Sequence, residues 1–223
     1  FKEPVDAQRI TQYLNKNRLQ ALLAHVPVQS GDVVFVPAGT VHAIMKGIVL
    51  AEIQENSDIT YRLYDWGRVS KGRDLHVAQS MQVAELGPVT NHKIPRLTIH
   101  HAEFDHHFLV ACQYFSLELF DVRAPIRELS TQDRFQIISI LQGAAEISSR
   151  SSRFAAKQGQ TALIPACLNT FGIMPTTTPC QILRAYIPNL RTDVIDPLKQ
   201  AGNSPKQIAR LGGASLAHND LAD

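Results

Sequence analysis

The spacing of hydrophobic positions changes near Val26. Upstream, Ile10, Tyr13 and Leu14 fall on one face of a helical repeat, and Asp6 stands where a cap would. Residues 15–17 interrupt the run before Leu19, Leu22 and Leu23 form a second short stripe. Residues 5–26 therefore predict packing helices. Past Val26 the period falls toward two. VVFVP at 33–37 is a β-branched and aromatic run between Gly31-Asp32 and Pro37-Ala38-Gly39, so it predicts a strand between turns. Residues 48–54 and 58–64 are further expected strands. Residues 65–73 are turn-rich, 75–85 predict a short helix, and Gly87-Pro88 closes the unit.

The later half is dense in strand patterns: 96–100, 108–112, 115–120, 135–141, 144–147, 161–164 and 181–186. Short strands at this spacing predict a sandwich or barrel. Gly143 and Gly159 sit where tight turns are expected, and the serine run at 148–152 reads as a surface turn. Beyond Arg191 the pattern weakens. Ser204-Pro205 starts and Gly212-Gly213 stops one short helix over 205–211, and 218–223 is expected to fray.

Composition narrows the class. At 223 residues the chain fits one large domain or two small ones, and 44% hydrophobic residues suffice for a core. A net charge of +2 leaves no broad footprint for nucleic acid. No apolar run approaches the ~20 residues that span a bilayer, so no membrane partner is expected. Cys112, Cys167 and Cys180 lack CxxC spacing and make no disulfide framework, which points to a reducing, cytoplasmic setting.

The chemistry concentrates in GDVVFVPAGTVH, Gly31 to His42. Its spacing recurs from Gly159 through Pro165 and Ala166, with Cys167 at the turn glycine and Thr170 at the histidine. The Gly-x5-Pro-x-Gly-x2-His pattern resembles the second signature of the cupin family, small β-barrels in which such a histidine faces inward. A neutral imidazole there suits zinc, iron or manganese. Where cupins carry an asparagine four residues on, this chain has Lys46. In the second barrel the places of the earlier cupin signature fall at 129–132 and near Gln136, with no histidine. That barrel is expected to be ligand-free and structural or interfacial. Before Gly31 the single histidine is His25, in an apolar stretch, and it reads as packing.

From residue 28 to residue 68 the resemblance becomes narrower. GTVHAI, LAEIQENSD and TYRLYDWGR follow the order and spacing of type I mannose-6-phosphate isomerases in their short bacterial form, and LHVAQSMQV resembles the segment after them. The likeness is strongest over 20–90 and continues through QYFSLELF and GQTALIPA to about residue 187. It implies a mainly β chain of two cupin-like β-barrels, the first incomplete at its N-terminus, with a few short helices. The expected division is 1–90 for the later part of the metal-binding barrel and its preceding helices. Residues 91–190 then form the second barrel, and 191–223 a C-terminal extension.

The same resemblance implies the roles. His42 matches a zinc ligand, Glu52 an acidic active-site residue suited to shuttle a proton, and Arg62 an arginine that projects into the site. The implied substrate is a phosphorylated hexose, mannose 6-phosphate interconverting with fructose 6-phosphate. The implied cofactor is one zinc ion, with its remaining ligands expected upstream. The chain lacks the family's preceding Gln- or His-Pro and Lys-x-Glu segments, and is expected to be a later portion or a truncated product. An unpaired barrel edge then invites self-association.

Plainer readings stand beside these. His42 as a satisfied non-ligand, Glu52 as a surface residue, and Arg62 as a salt-bridge partner of Asp58 or Asp65 all fit the sequence. So does a non-catalytic double-cupin module that binds a sugar or another subunit. A cupin with different chemistry, such as an oxygenase, fits the NSDITYR run poorly. The pairs His100-His101 and His106-His107 allow a metal reading, but alternation sends each pair to opposite faces and a solvated turn is expected. Cys167 is expected to be buried.

Overall fold

The computed structural model describes residues 1–68, 74–88, 93–131, 133–213 and 219–222. They form two compact units, Phe1–Lys93 and Ile94–Asp223.

In the first unit, helix α1 (Ala7–Asn15) begins where Asp6 accepts a hydrogen bond from the Arg9 N–H at 2.7 Å. A 3₁₀ turn at Leu19–Leu22 follows, and helix α2 spans Val77–Val83. Phe1, Ile10, Leu19, Leu22 and Leu63 make the buried core of this unit. The expected packing of His25 is not seen; its ring is exposed. The three expected strands between 33 and 64 form no ladder among the described residues. Their one pairing is an isolated bridge between Val34 and Lys93. Strand preference reflects packing against cross-strand neighbours, and these segments have none. Val49 is fully exposed and Ile59 is 69% exposed. The turn after 33–37 does form. Gly39 has φ +83°, and a Cβ there would lie 2.7 Å from the Val83 carbonyl oxygen, so both backbone twist and close approach favour glycine.

The second unit is mainly β. One antiparallel sheet has six strands in the order β1-β2-β3-β10-β5-β8, and the other four in the order β4-β9-β6-β7. The strands are β1 (Leu97–His100), β2 (Phe104–Ala111), β3 (Ser116–Val122), β4 (Ile126–Ser130) and β5 (Gln136–Gln142). Then come β6 (Ala144–Ser148), β7 (Arg153–Lys157), β8 (Thr161–Ile164), β9 (Thr170–Pro175) and β10 (Gln181–Tyr186). Phe120, Ile138, Ile140, Ile164 and Ile182 of the larger sheet share one buried cluster with Ile126, Ala145, Ile147, Phe171 and Ile173 of the smaller. The core therefore lies between the sheets.

Three strands go beyond the sequence expectation, each for a local reason. β4 buries only Ile126, and β7 is an edge strand with four of five residues exposed. β9 holds Gly172, where an added Cβ would lie 3.0 Å from the Arg127 carbonyl oxygen, so the glycine serves close strand approach.

The segment after Asn189 is part of this unit. A π-helical stretch (Leu190–Ile195), α3 (Asp196–Gln200) and α4 (Pro205–Ala209) place Val194, Leu198, Ile208 and Leu211 against Leu97, Phe108 and Ala111. Ser204 and Gln207 form a capping box at the start of α4. Within the stretch expected to fray, residues 219–222 are tied down. Leu221 is buried, and Asp220 accepts from the Gln113 N–H at 2.8 Å. Residues 218 and 223 lie outside the described residues.

Candidate functional site

In the first unit, His42 follows the Pro-x-Gly turn on an exposed segment, and its Nδ1 lies 2.9 Å from the Thr40 carbonyl oxygen. Glu52 is exposed. Arg62 is half-buried, 3.4 Å from the Asp65 carboxylate. Its N–H donates to His76 Nδ1 at 3.2 Å, and the His76 N–H donates back to the Arg62 carbonyl at 2.7 Å. The pairing with Asp65 is one of the two salt bridges the sequence allows. No hydrogen bond or ion pair joins His42, Glu52 and Arg62. Among the described residues no group of three or more His, Cys, Asp or Glu is placed to hold a metal ion.

The densest charge chemistry lies instead between the sheets of the second unit. Glu118 on β3 is 0% exposed. It shares an inner face with Phe120 and Val122 by strand alternation, and is in register with Arg184 on β10. Arg184 donates to Glu118 Oε2 through Nε at 2.9 Å and again through Nη2. His106 Nε2 lies 2.8 Å from the same oxygen. A carboxylate only accepts, so Nε2 carries the imidazole proton. Tyr186 donates to Oε1 at 2.7 Å and Ser116 at 3.3 Å. The guanidinium also rests over the rings of Phe120 and Tyr186, 4.8 and 4.9 Å from their centroids.

This arrangement fixes protonation. Burial alone would raise the Glu118 pKa, but the charge of Arg184 and the hydrogen bonds of His106 and Tyr186 more than reverse it, to about 2. Burial, aided by Arg184, drives His106 below its ordinary value against the pull of Glu118. Burial raises the Tyr186 phenol. Nearby, Gln136 is wholly buried on β5; its Nε2 donates to the Ser130 carbonyl at 2.8 Å, while its Oε1 has no partner among the described residues.

The histidine pairs correct one expectation. Alternation does split His106 from His107, but neither sits in a solvated turn. His107 is buried on the opposite face, with Nε2 2.8 Å from Asp121 Oδ2 and Nδ1 2.8 Å from the Thr98 hydroxyl. His100 is exposed and lies 2.8 Å from Asp105. Cys167, expected to be buried, is exposed, while Cys112 and Cys180 are buried. Its turn faces outward beside Glu128, Arg150 and Asn169.

Comparison with known proteins identifies the scaffold. Residues 105–186, running from β2 through β10, match the family model described as mannose-6-phosphate isomerase, cupin domain. The chain belongs to the cupin proteins of the mannose-6-phosphate isomerase type. It is 35% identical over 170 residues to mannose-6-phosphate isomerase ManA of Bacillus subtilis, covering 74% of this chain and 52% of that protein. It is 28% identical over 172 residues to the mannose-6-phosphate isomerase of Streptococcus mutans, covering 76% and 54%. The crystal structure of the Bacillus subtilis mannose 6-phosphate isomerase superposes with a TM-score of 0.50 at 27% identity, covering 59% of this chain and 41% of that one. This cupin chain thus spans about half the length of the curated relatives it matches.

The family model falls on the unit whose interior holds the Glu118 cluster. The sequence signatures of the cupin family gave no sign of that cluster. Its signal was the placement of Glu, Arg and Tyr at alternating positions of otherwise apolar strands (SLELF and ILRAY).

Proposed function

We propose that this chain is the later portion of an isomerase that interconverts mannose 6-phosphate and fructose 6-phosphate, and that His42, Glu52 and Arg62 are its contributions to the active site. The observation that carries the reading is the 35% identity over 170 residues to ManA, a mannose-6-phosphate isomerase. The GTVHAI, LAEIQ and TYR segments supply the residue types the chemistry needs. Moving a proton between C1 and C2 of the sugar passes through an enediol or enediolate. The Glu52 carboxylate takes the proton from one carbon and returns it to the other, a role typically worth ~10²–10⁴ in rate. Arg62, braced by Asp65, stabilises the oxyanion that develops between those carbons.

Zinc is the cofactor this reading brings, and it would polarise the sugar oxygens as a Lewis acid. A catalytic zinc takes three protein ligands. Among the described residues His42 has no such companions, so these residues do not make a zinc centre by themselves. The reading therefore asks for the remaining ligands from protein outside this chain. The free cysteines suit a reducing cytoplasm. Among the described residues no helix is long and apolar enough to cross a membrane, and no nucleic-acid partner belongs to the reading.

An isomerase assay on a product extended at its front with the preceding reading frame tests this. The extended protein converts mannose 6-phosphate. Arg62→Met lowers kcat by about 10²–10³, the usual cost of losing a preorganised oxyanion donor, and Glu52→Gln lowers it by at least ~10². An extended protein without isomerase activity, or variants at 42, 52 and 62 with unchanged kcat, would contradict the reading.

One observation favours a second reading, a non-catalytic double-cupin module that binds a sugar or another subunit. His42 is exposed and bonded to its own loop. A start codon at Phe1 together with sugar binding but no turnover would select it.

A further inference from the structure

The second unit keeps a polar interior at positions unrelated to the cupin signatures, and the isomerase reading does not use it. The signature places at 129–132, 136 and 170 hold no histidine or carboxylate. The cluster sits elsewhere, on the facing strands β2, β3 and β10. Its components are those of a metal site. One carboxylate, one imidazole and one phenol come together, and that combination suits divalent transition metals. Glu118 Oε2 lies 2.8 Å from His106 Nε2, and Oε1 lies 2.7 Å from the Tyr186 oxygen. All three groups are on the inner face of one sheet, shielded from water. The charge that a metal would bring is already present, because Arg184 binds the same carboxylate oxygen as His106.

We infer that Arg184 is a built-in cation that closes a latent metal site, and that removing its guanidinium opens that site to a divalent ion held by Glu118, His106 and Tyr186. Without Arg184 a lone carboxylate remains buried in an apolar shell, a state that must be neutralised. Two routes exist. Glu118 takes a proton, or a cation enters the vacated volume. With an imidazole and a phenol beside the carboxylate, a soft divalent ion is the better-matched occupant. Binding displaces the His106 Nε2 proton, which moves to Nδ1 or to solvent, so His106 offers a lone pair to the metal. In the native chain the same argument leaves the interior closed to metal. Any metal bound by the whole protein belongs outside the second unit.

The test uses the 223-residue chain with Co²⁺ as the probe. Native chain and Arg184→Met are titrated while the ligand-field absorption of Co²⁺ is followed. Methionine keeps length and apolar volume but removes the charge. The inference expects Arg184→Met to gain a stoichiometric site with the intense bands of low-coordinate Co²⁺. The native chain, which shares the exposed His42 and His100, should show only weak background. Adding His106→Gln to Arg184→Met removes the bands, and Arg184→Lys, which keeps a cation, never shows them. Bands of equal strength in the native chain overturn the inference, as does a site that survives loss of His106. If Arg184→Met is unfolded, Co²⁺ is expected to refold it, because a site present only in the folded state couples binding to folding. A chain that stays unfolded at saturating Co²⁺ overturns the inference as well. Loss of isomerase activity in the extended protein is not part of this readout, so the two proposals fail separately.

Discussion

At the residue scale the second unit depends on a buried ion pair. Removing one partner leaves the other charge without compensation, so Glu118→Ala or Arg184→Ala costs about 3–5 kcal/mol in urea unfolding of this unit. The pH dependence follows from the same groups. Glu118 titrates from an ordinary 4.5 when unfolded to about 2 when folded, and His106 is also depressed in the fold. In both cases the unfolded chain binds protons that the folded chain refuses, so stability rises with pH. The His106 contribution is complete above about pH 6.5 and fades as pH falls below it. The Glu118 contribution, roughly 3 kcal/mol, fades between about pH 4.5 and 2. Unfolding midpoints across this range check the account, and a flat profile below pH 6.5 would contradict it. Gln136 behaves oppositely. Its Oε1 lacks a partner among the described residues, so Gln136→Met costs little or stabilises, by up to ~1 kcal/mol. His42, Glu52 and Arg62 were legible at this scale because short motifs carry them. The Glu118 cluster was not, since its members are spread over three strands and meet only through register.

At the element scale, the strands that bury one face in alternation were legible: β5, β6, β8 and β10 lie within a residue or so of their expected bounds. The edge strands β4 and β7 were not, because their residues are mostly exposed and carry no apolar alternation. The expected strands between 33 and 64 show the converse. Their composition is right for strands, but a ladder needs a partner. The C-terminal helices show how a weak pattern hides a firm role. Leu198 and Leu211 are fully buried against β1 and β2, so Leu198→Ala is expected to cost about 2–5 kcal/mol in chemical denaturation. A change below 1 kcal/mol would mean that this cover is not part of the cooperative unit.

At the scale of the whole molecule the two units differ in kind. The second is closed around one core and matches the cupin family model along its strands. The first exposes Val34, Val36, Ile44, Met45, Ile48, Val49 and Leu50 along its signature segment. Apolar surface of that extent marks an interaction site or an aggregation liability. The chain alone is therefore expected to self-associate in light scattering at micromolar concentration, and the front-extended protein to do so less. The central claim is that His42 is one ligand of a single zinc site completed by protein outside this chain. Zinc content per chain, measured on the front-extended protein and its His42→Ala variant, tests it most directly. The account predicts one zinc per chain that is lost or greatly weakened in His42→Ala, together with isomerase activity. Undiminished zinc and activity in the variant would contradict it.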